Sequence, residues 1–129
     1  MIPVTQTRTG AQGNCFEACM ASLLEVPLSE VPDFGRDDVF LEKVAGFLEP
    51  HGLLYVQIAP HDDVLGVMMK RGDIFHTIEG RSPRGGQHAV VGCNGHVVHD
   101  PHPQDGTGRG LISVDCYGLL CSRMDPSSF

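Results

Sequence analysis

The chain has 129 residues, a length that suits one domain able to bury its own core. Hydrophobic residues make up 41 % and charged residues 19 %, which argues against a disordered chain. Nine Lys and Arg against sixteen Asp and Glu leave a net charge of −7, so nucleic acid and anionic membrane surfaces are poor partners. The basic cluster Lys70, Arg71, Arg81 and Arg84 has no interleaved aromatics and reads as a solvated loop face. No apolar signal-like region opens the sequence, and no stretch approaches the roughly 18 apolar residues of a membrane span. A cytoplasmic protein with no membrane partner is expected. Five cysteines at irregular spacings, without a CxxC pair, predict neither a disulfide framework nor a structural zinc site.

Residues 1–13 are polar and read as an extended arm. A helix is predicted over 14–26, with Asn14 as N-cap, Glu17 as its capping-box acid and Pro27 as its stop. Phe16, Met20 and Leu24 share one face of it, with Cys19 and Leu23 beside them. A proline-punctuated connection, 27–35, leads to a second helix at 37–49 with Phe40, Leu41, Val44, Phe47 and Leu48 inward. Residues 53–59 read as a buried strand, 61–70 as a short helix, and 73–79 as a strand. After a loop at 80–86, strands 87–93 and 96–100 flank Asn94-Gly95, a strong hairpin signal. A Gly/Pro/Asp-rich loop at 101–110 precedes a last strand near 110–116, and the terminal Asp-Pro-Ser-Ser-Phe reads as a frayed tail. Helices come first and strands afterwards, so the predicted class is α+β, with helices packed on a small antiparallel sheet.

The chemistry concentrates on Cys15. A thiol in the first turn of a helix feels unpaired amides and the positive end of the helix dipole, which favour thiolate. The same amides suit the oxyanion formed when a thiolate attacks a carbonyl. The bland alternative is a small buried cysteine, which is the reading adopted for Cys19. A thiolate nucleophile needs an imidazole partner. Of the seven histidines, His88 opens a strand after the Gly85-Gly86 loop, where a base facing a helix start belongs. His51 reads as a helix-end residue, His61 as solvated and His76 as a half-exposed strand residue. Counting out from the hairpin turn pairs 93 with 96 and 88 with 101. Asp100 therefore lies next to the partner of His88 and can orient it, provided the pleat or a bulge turns both to one side.

Together these residues resemble the small bacterial papain-like cysteine peptidases, closest to the bacteriocin-processing peptidase domains and their free-standing relatives. Cys15 with Ala18 and Leu23 matches that family's Cys-x-x-Ala helix, His88-Ala89-Val90-Val91 its His-x-Val-Val, and Asp100-Pro101 its Asp-Pro. The family's oxyanion glutamine stands six residues before the cysteine, where this chain has Thr9, so Gln6 and Gln12 are the candidates for that role, Gln6 the better placed. Gln12-Gly13-Asn14-Cys15-Phe16 is also similar to the Asp-Gly-Asn-Cys motif of the ovarian-tumour deubiquitinases, with Gln12 in place of the Asp. The resemblance implies one papain-like domain over 1–129 and a hydrolase of a peptide, isopeptide or related amide. It also implies a Cys-His-Asp triad, a thioester intermediate and no cofactor.

Three other readings compete. A papain-like fold can serve as a binding module, and the same triad can transfer an acyl group to an amine. The third is a metal site from His96, His99, Asp100 and His102, although strand alternation turns His96 and His99 to opposite faces. The remaining cysteines (Cys93, Cys116, Cys121), Met68-Met69 and the phenylalanines 34, 40 and 47 read as packing residues. The acidic balance favours a neutral or basic peptide or protein substrate.

Overall fold

The computed structural model describes residues 1–60, 63–103 and 108–124. Among these residues three α-helices, α1 (Cys15–Leu24), α2 (Phe40–Leu48) and α3 (Asp63–Met69), accompany strands β1 (Leu53–Ile58), β2 (Phe75–Arg81), β3 (Gln87–Cys93), β4 (His96–His99) and β5 (Ser113–Ser122). The strands form one antiparallel sheet in the order β1-β5-β2-β3-β4. The class is α+β. Among the described residues no helix is long and apolar enough to cross a membrane.

Helix α1 is not amphipathic in place: every side chain from Cys15 to Ser22 is buried. It packs on β3, and the N-terminal arm bonds to Ser22 near its C-terminal end. Ile2 N–H donates to the Ser22 carbonyl and Val4 N–H to Ser22 Oγ, at 3.1 and 2.9 Å. A helix buried all round needs apolar or small residues on every side, which Ala18, Cys19, Ala21 and Ser22 supply. The helix ends at Leu24, two residues short of the prediction, because Glu25 turns into the left-handed region with φ 59°. The core joins Phe16, Met20, Phe34, Val44, Leu48, Ala89 and Val91, with Phe40 and Phe47 packed against it. Phe16 meets Phe34, Phe40 and Tyr55 edge-on.

Several boundaries move for identifiable reasons. Helix α2 starts at Phe40 because Asp37 closes a turn ahead of it, accepting Val39 N–H on its carboxylate and Phe40 N–H on its carbonyl. Leu41, predicted inward, is 52 % exposed. Strand β1 is an edge strand, with Leu54 and Val56 on its open face, and not the buried strand expected. Strand β2 runs on through Gly80 and Arg81. A Cβ at Gly80 would lie 1.9 Å from the Ser113 carbonyl, so only glycine admits the irregular step where β5 closes on β2. The last strand is longer and later than predicted and lies between β1 and β2, which puts Cys121 opposite Leu54 on a strand and not in a tail. Gly118 is what lets it run there: a Cβ at that position would meet the Tyr55 and Thr77 hydroxyls at 2.2 and 2.3 Å. Met68, expected as core filler, is 48 % exposed on α3. His61 and the terminal pentapeptide lie outside the described residues.

The turn Asn94-Gly95 has φ of 52° and 83°, as a tight hairpin needs. His76 is fully buried beneath it, against expectation. Its Nε2 accepts Gly95 N–H at 3.0 Å, its Nδ1 lies 3.0 Å from the Thr77 carbonyl, and its ring stacks on Tyr117. Those partners define a neutral Nδ1–H tautomer, and burial lowers the pKa of the ring. His76 is a structural clamp on the hairpin.

Candidate active site

Cys15 opens α1 and is 8 % exposed. The first intrahelical bond runs from Ala18 N–H to the Asn14 carbonyl, which leaves the amides of residues 15–17 without helix partners. The expected capping box is absent. Asn14 instead accepts the Thr7 and Arg8 amides on Oδ1 at 3.0 and 2.9 Å and donates from Nδ2 to Thr7 Oγ1. Glu17 points the other way, accepting Phe34 N–H at 3.0 Å and Arg36 Nη2 at 3.1 Å. The helix start lies inside the molecule, so its polar side chains organise the arm and the 33–36 loop, and its amides are left to the cleft.

His88, 3 % exposed, stands at the mouth of β3, and its Nε2 is 2.8 Å from Asp100 Oδ1. That bond leaves Nδ1 for Cys15. The simple hairpin count set Asp100 opposite Ala89. The structure contains a bulge: Gly92 pairs with Val97 but Val91 with His99, so Val98 is extra. Continuing that register sets Asp100 opposite Val90, on the parity of His88. One inserted residue thus moves the carboxylate to the side of the imidazole. Asp100 is further held by the amides of His102 and Gly110, and Arg109 Nη2 donates to its carbonyl at 2.8 Å.

The electrostatics follow from this packing. Burial raises the Cys15 pKa, but the hydrogen bond and charge of His88, the Ala89 amide and the Arg36 charge outweigh it and leave the thiol below its ordinary value. Burial works against the His88 imidazolium, yet its bonds to Asp100 and Cys15 raise it to about 9. Burial also penalises the Asp100 carboxylate, and His88 with the two amides overcomes this and holds it well below the usual carboxylate range. The balance favours a thiolate–imidazolium pair. Cys19, one turn on and fully buried, is pushed well above an ordinary thiol and is part of the core.

Cys15, Arg36, Gln87 and His88 stand where two recesses meet. The larger, about 520 Å³, is lined also by Gln6, Gly10, Gly13, Ser82, Arg84 and Gly86. The smaller, about 170 Å³, is lined also by Phe16, Phe40, Glu79 and Ala89. Gln6 is 4 % exposed. Its main-chain N–H donates to the Pro101 carbonyl at 2.8 Å and its Nε2 to the Arg8 carbonyl at 2.7 Å, while Oε1 is buried without a partner among the described residues. Gln12 is exposed in the short 3-10 turn Gly10–Gln12 and does not line the cleft.

The histidine cluster does not gather. His96 is exposed, His99 Nε2 meets the Val4 carbonyl at 2.7 Å, and His102 lies edge-on to His88. Among the described residues no three His, Cys, Asp or Glu side chains are grouped to hold a metal ion.

Sequence reasoning missed Arg36, Arg84 and Glu79. Arg36 sits in a connection whose path no local pattern reveals, and Glu79 looks like any strand acid. Arg84 has a signal, its place in Ser-Pro-Arg-Gly-Gly four residues before His88; it is exposed on a loop, as the solvated-loop reading expects, and it also lines the larger recess. No protein-family model matches the chain, and no curated protein and no solved structure matches it either.

Proposed function

We propose that this chain is a cysteine-dependent amide hydrolase with a papain-like arrangement, acting on a peptide, isopeptide or related bond. The observation that carries this reading is the meeting of Cys15, His88 and Asp100: a helix-start thiol beside a buried imidazole whose far nitrogen is bonded to a carboxylate at 2.8 Å. A decayed binding module has no need of the charge arrangement that lowers the thiol and raises the imidazole.

In the proposed reaction the Cys15 thiolate attacks the carbonyl carbon. The oxyanion accepts hydrogen bonds from the free Cys15 amide and from the second Nε2 hydrogen of Gln6. The His88 imidazolium gives its proton to the leaving amine as the C–N bond breaks, leaving a thioester on Cys15. His88, now neutral, takes a proton from water, whose oxygen attacks the thioester. The acid is released and the thiolate–imidazolium pair restored. Asp100 keeps Nδ1 of His88 aimed at the sulfur throughout. The two recesses meeting at the thiol leave room for substrate on both sides of the scissile bond.

The test is the rate of iodoacetamide alkylation at each cysteine against pH, by peptide mapping, in wild type and His88→Ala. Cys15 should react at pH values below the range in which an ordinary thiol ionises, and His88→Ala should move its profile to higher pH. A Cys15 profile like that of an ordinary thiol defeats the proposal.

A further inference from the structure

We infer that the larger recess is a carboxylate-recognition subsite, with Arg84 as its charged anchor, so that the substrate carries an acidic group beside the scissile bond. This rests on the hydrolase reading and adds the substrate class. It runs against what the net charge of −7 suggests.

The argument is a local charge count. Among the described residues the lining of the larger recess holds Arg36, Arg84 and His88 and no carboxylate. Two of those cations already have anionic partners: Arg36 pairs with the buried Glu17 at 3.1 Å, and His88 with Asp100. Arg84 has no carboxylate partner among the described residues. Its Nη1 donates to the Gly108 carbonyl, and its Nε and Nη2 have no partner among those residues.

The position of Arg84 is built. Ser82 N–H donates to the Gly86 carbonyl at 2.8 Å and Gly85 N–H to the Ser82 carbonyl at 3.0 Å, so residues 82–86 form a closed turn. Arg84 N–H donates to Ser82 Oγ at 3.2 Å inside it. Gly108 gives the arginine its bed: a Cβ there would lie 2.8 Å from Arg84 Cγ. The side chain is exposed but rests against a glycine, with the rest of its guanidinium fork open to solvent and to a ligand. A guanidinium with spare coplanar donors is suited to a carboxylate.

The other recess supplies the opposite sign. Glu79 lines it, with Oε2 accepting the Tyr55 hydroxyl at 2.6 Å, Gln57 Nε2 at 3.2 Å and Cys116 Sγ at 3.1 Å. These three donors fix that carboxylate in place. An acidic substrate group is repelled from the Glu79 side and accepted on the Arg84 side, which sets the direction in which the chain crosses Cys15.

The experiment compares alkylation of Cys15 by anionic iodoacetate and neutral iodoacetamide in the full chain. Wild type, Arg84→Gln, Arg84→Lys and the distant charge-matched control Arg123→Gln are mapped residue by residue. The iodoacetate-to-iodoacetamide rate ratio should fall about two- to five-fold in Arg84→Gln, the size of an exposed ion pair. It should recover in Arg84→Lys, stay at the wild-type value in Arg123→Gln, and shrink in high salt. A ratio unchanged by Arg84→Gln overturns the subsite, whereas a fast low-pH reaction with both reagents leaves the hydrolase reading standing. A slow Cys15 with an Arg84-dependent ratio does the reverse. A competition arm separates the sources of the carboxylate. N-acetyl-Glu-Gly amide, N-acetyl-Ala-Gly with a free terminus and N-acetyl-Ala-Gly amide are each tested for protection of Cys15 against iodoacetamide. Protection by the first or second alone assigns a side chain or a chain terminus; equal effects of all three overturn the inference.

Discussion

At the scale of single residues, Asp100 has the most consequential placement. Asp100→Asn keeps the shape but removes the charge that raises His88 to about 9. The imidazole pKa should fall, the alkaline limb of kcat/KM should move down from about 9, and Cys15 should need higher pH for alkylation. Turnover should drop on the order of 10²–10⁴-fold, the usual worth of a positioned acid–base group, measured with any amide substrate that wild type cleaves. The two glutamines separate cleanly. Gln6→Ala removes a buried amide at the cleft and should lower kcat about 10²–10³-fold with a smaller effect on KM. Gln12→Ala changes an exposed side chain outside the cleft and should leave kcat unchanged.

At the scale of elements, a strand's neighbours decide what its sequence means. The sequence reading ends the last strand near residue 116, whereas β5 runs through Gly118 to Ser122. The glycine is there for the Tyr55 hydroxyl, which crosses it to reach Thr77 and Glu79. Gly118→Ala should destabilise the fold by about 1–3 kcal/mol, the usual cost of overpacking, seen as a lower urea midpoint at an unchanged slope. Hairpin β3–β4 was legible from Asn94-Gly95, and its first pairs match the count. The bulge at Val98 was not legible, since nothing local distinguishes Val97-Val98 from a regular strand.

At the scale of the molecule, the buried His88–Asp100 pair couples stability to pH. Asp100 is held below its unfolded value of about 3.9, so its contribution is present above that value and is lost as pH falls through the folded pKa. His88 is raised above its unfolded value of about 6.5, so its share is full below that value and is lost as pH rises through about 9. The stability difference between wild type and Asp100→Asn should therefore be widest between about pH 4 and 6.5 and narrow on both sides, as urea titrations at a series of pH values would show.

The sequence alone determined the α+β class, the helix opening at Cys15, the hairpin at Asn94-Gly95 and the choice of Cys15, His88 and Asp100 as candidate site residues. Each of these rests on local chemistry: a helix-start thiol, a turn dipeptide, alternating strands. Only the tertiary structure decided which partners those residues meet. Burial of α1 from Cys15 to Ser22 turned Asn14 and Glu17 from caps into links to the arm and the 33–36 loop. One extra residue at Val98 put Asp100 on the parity of His88. Arg84 is on an exposed loop, as its sequence suggests, but only the closed 82–86 turn places that loop on the rim of the cleft. Such outcomes depend on contacts between residues far apart in the chain, which no local pattern encodes.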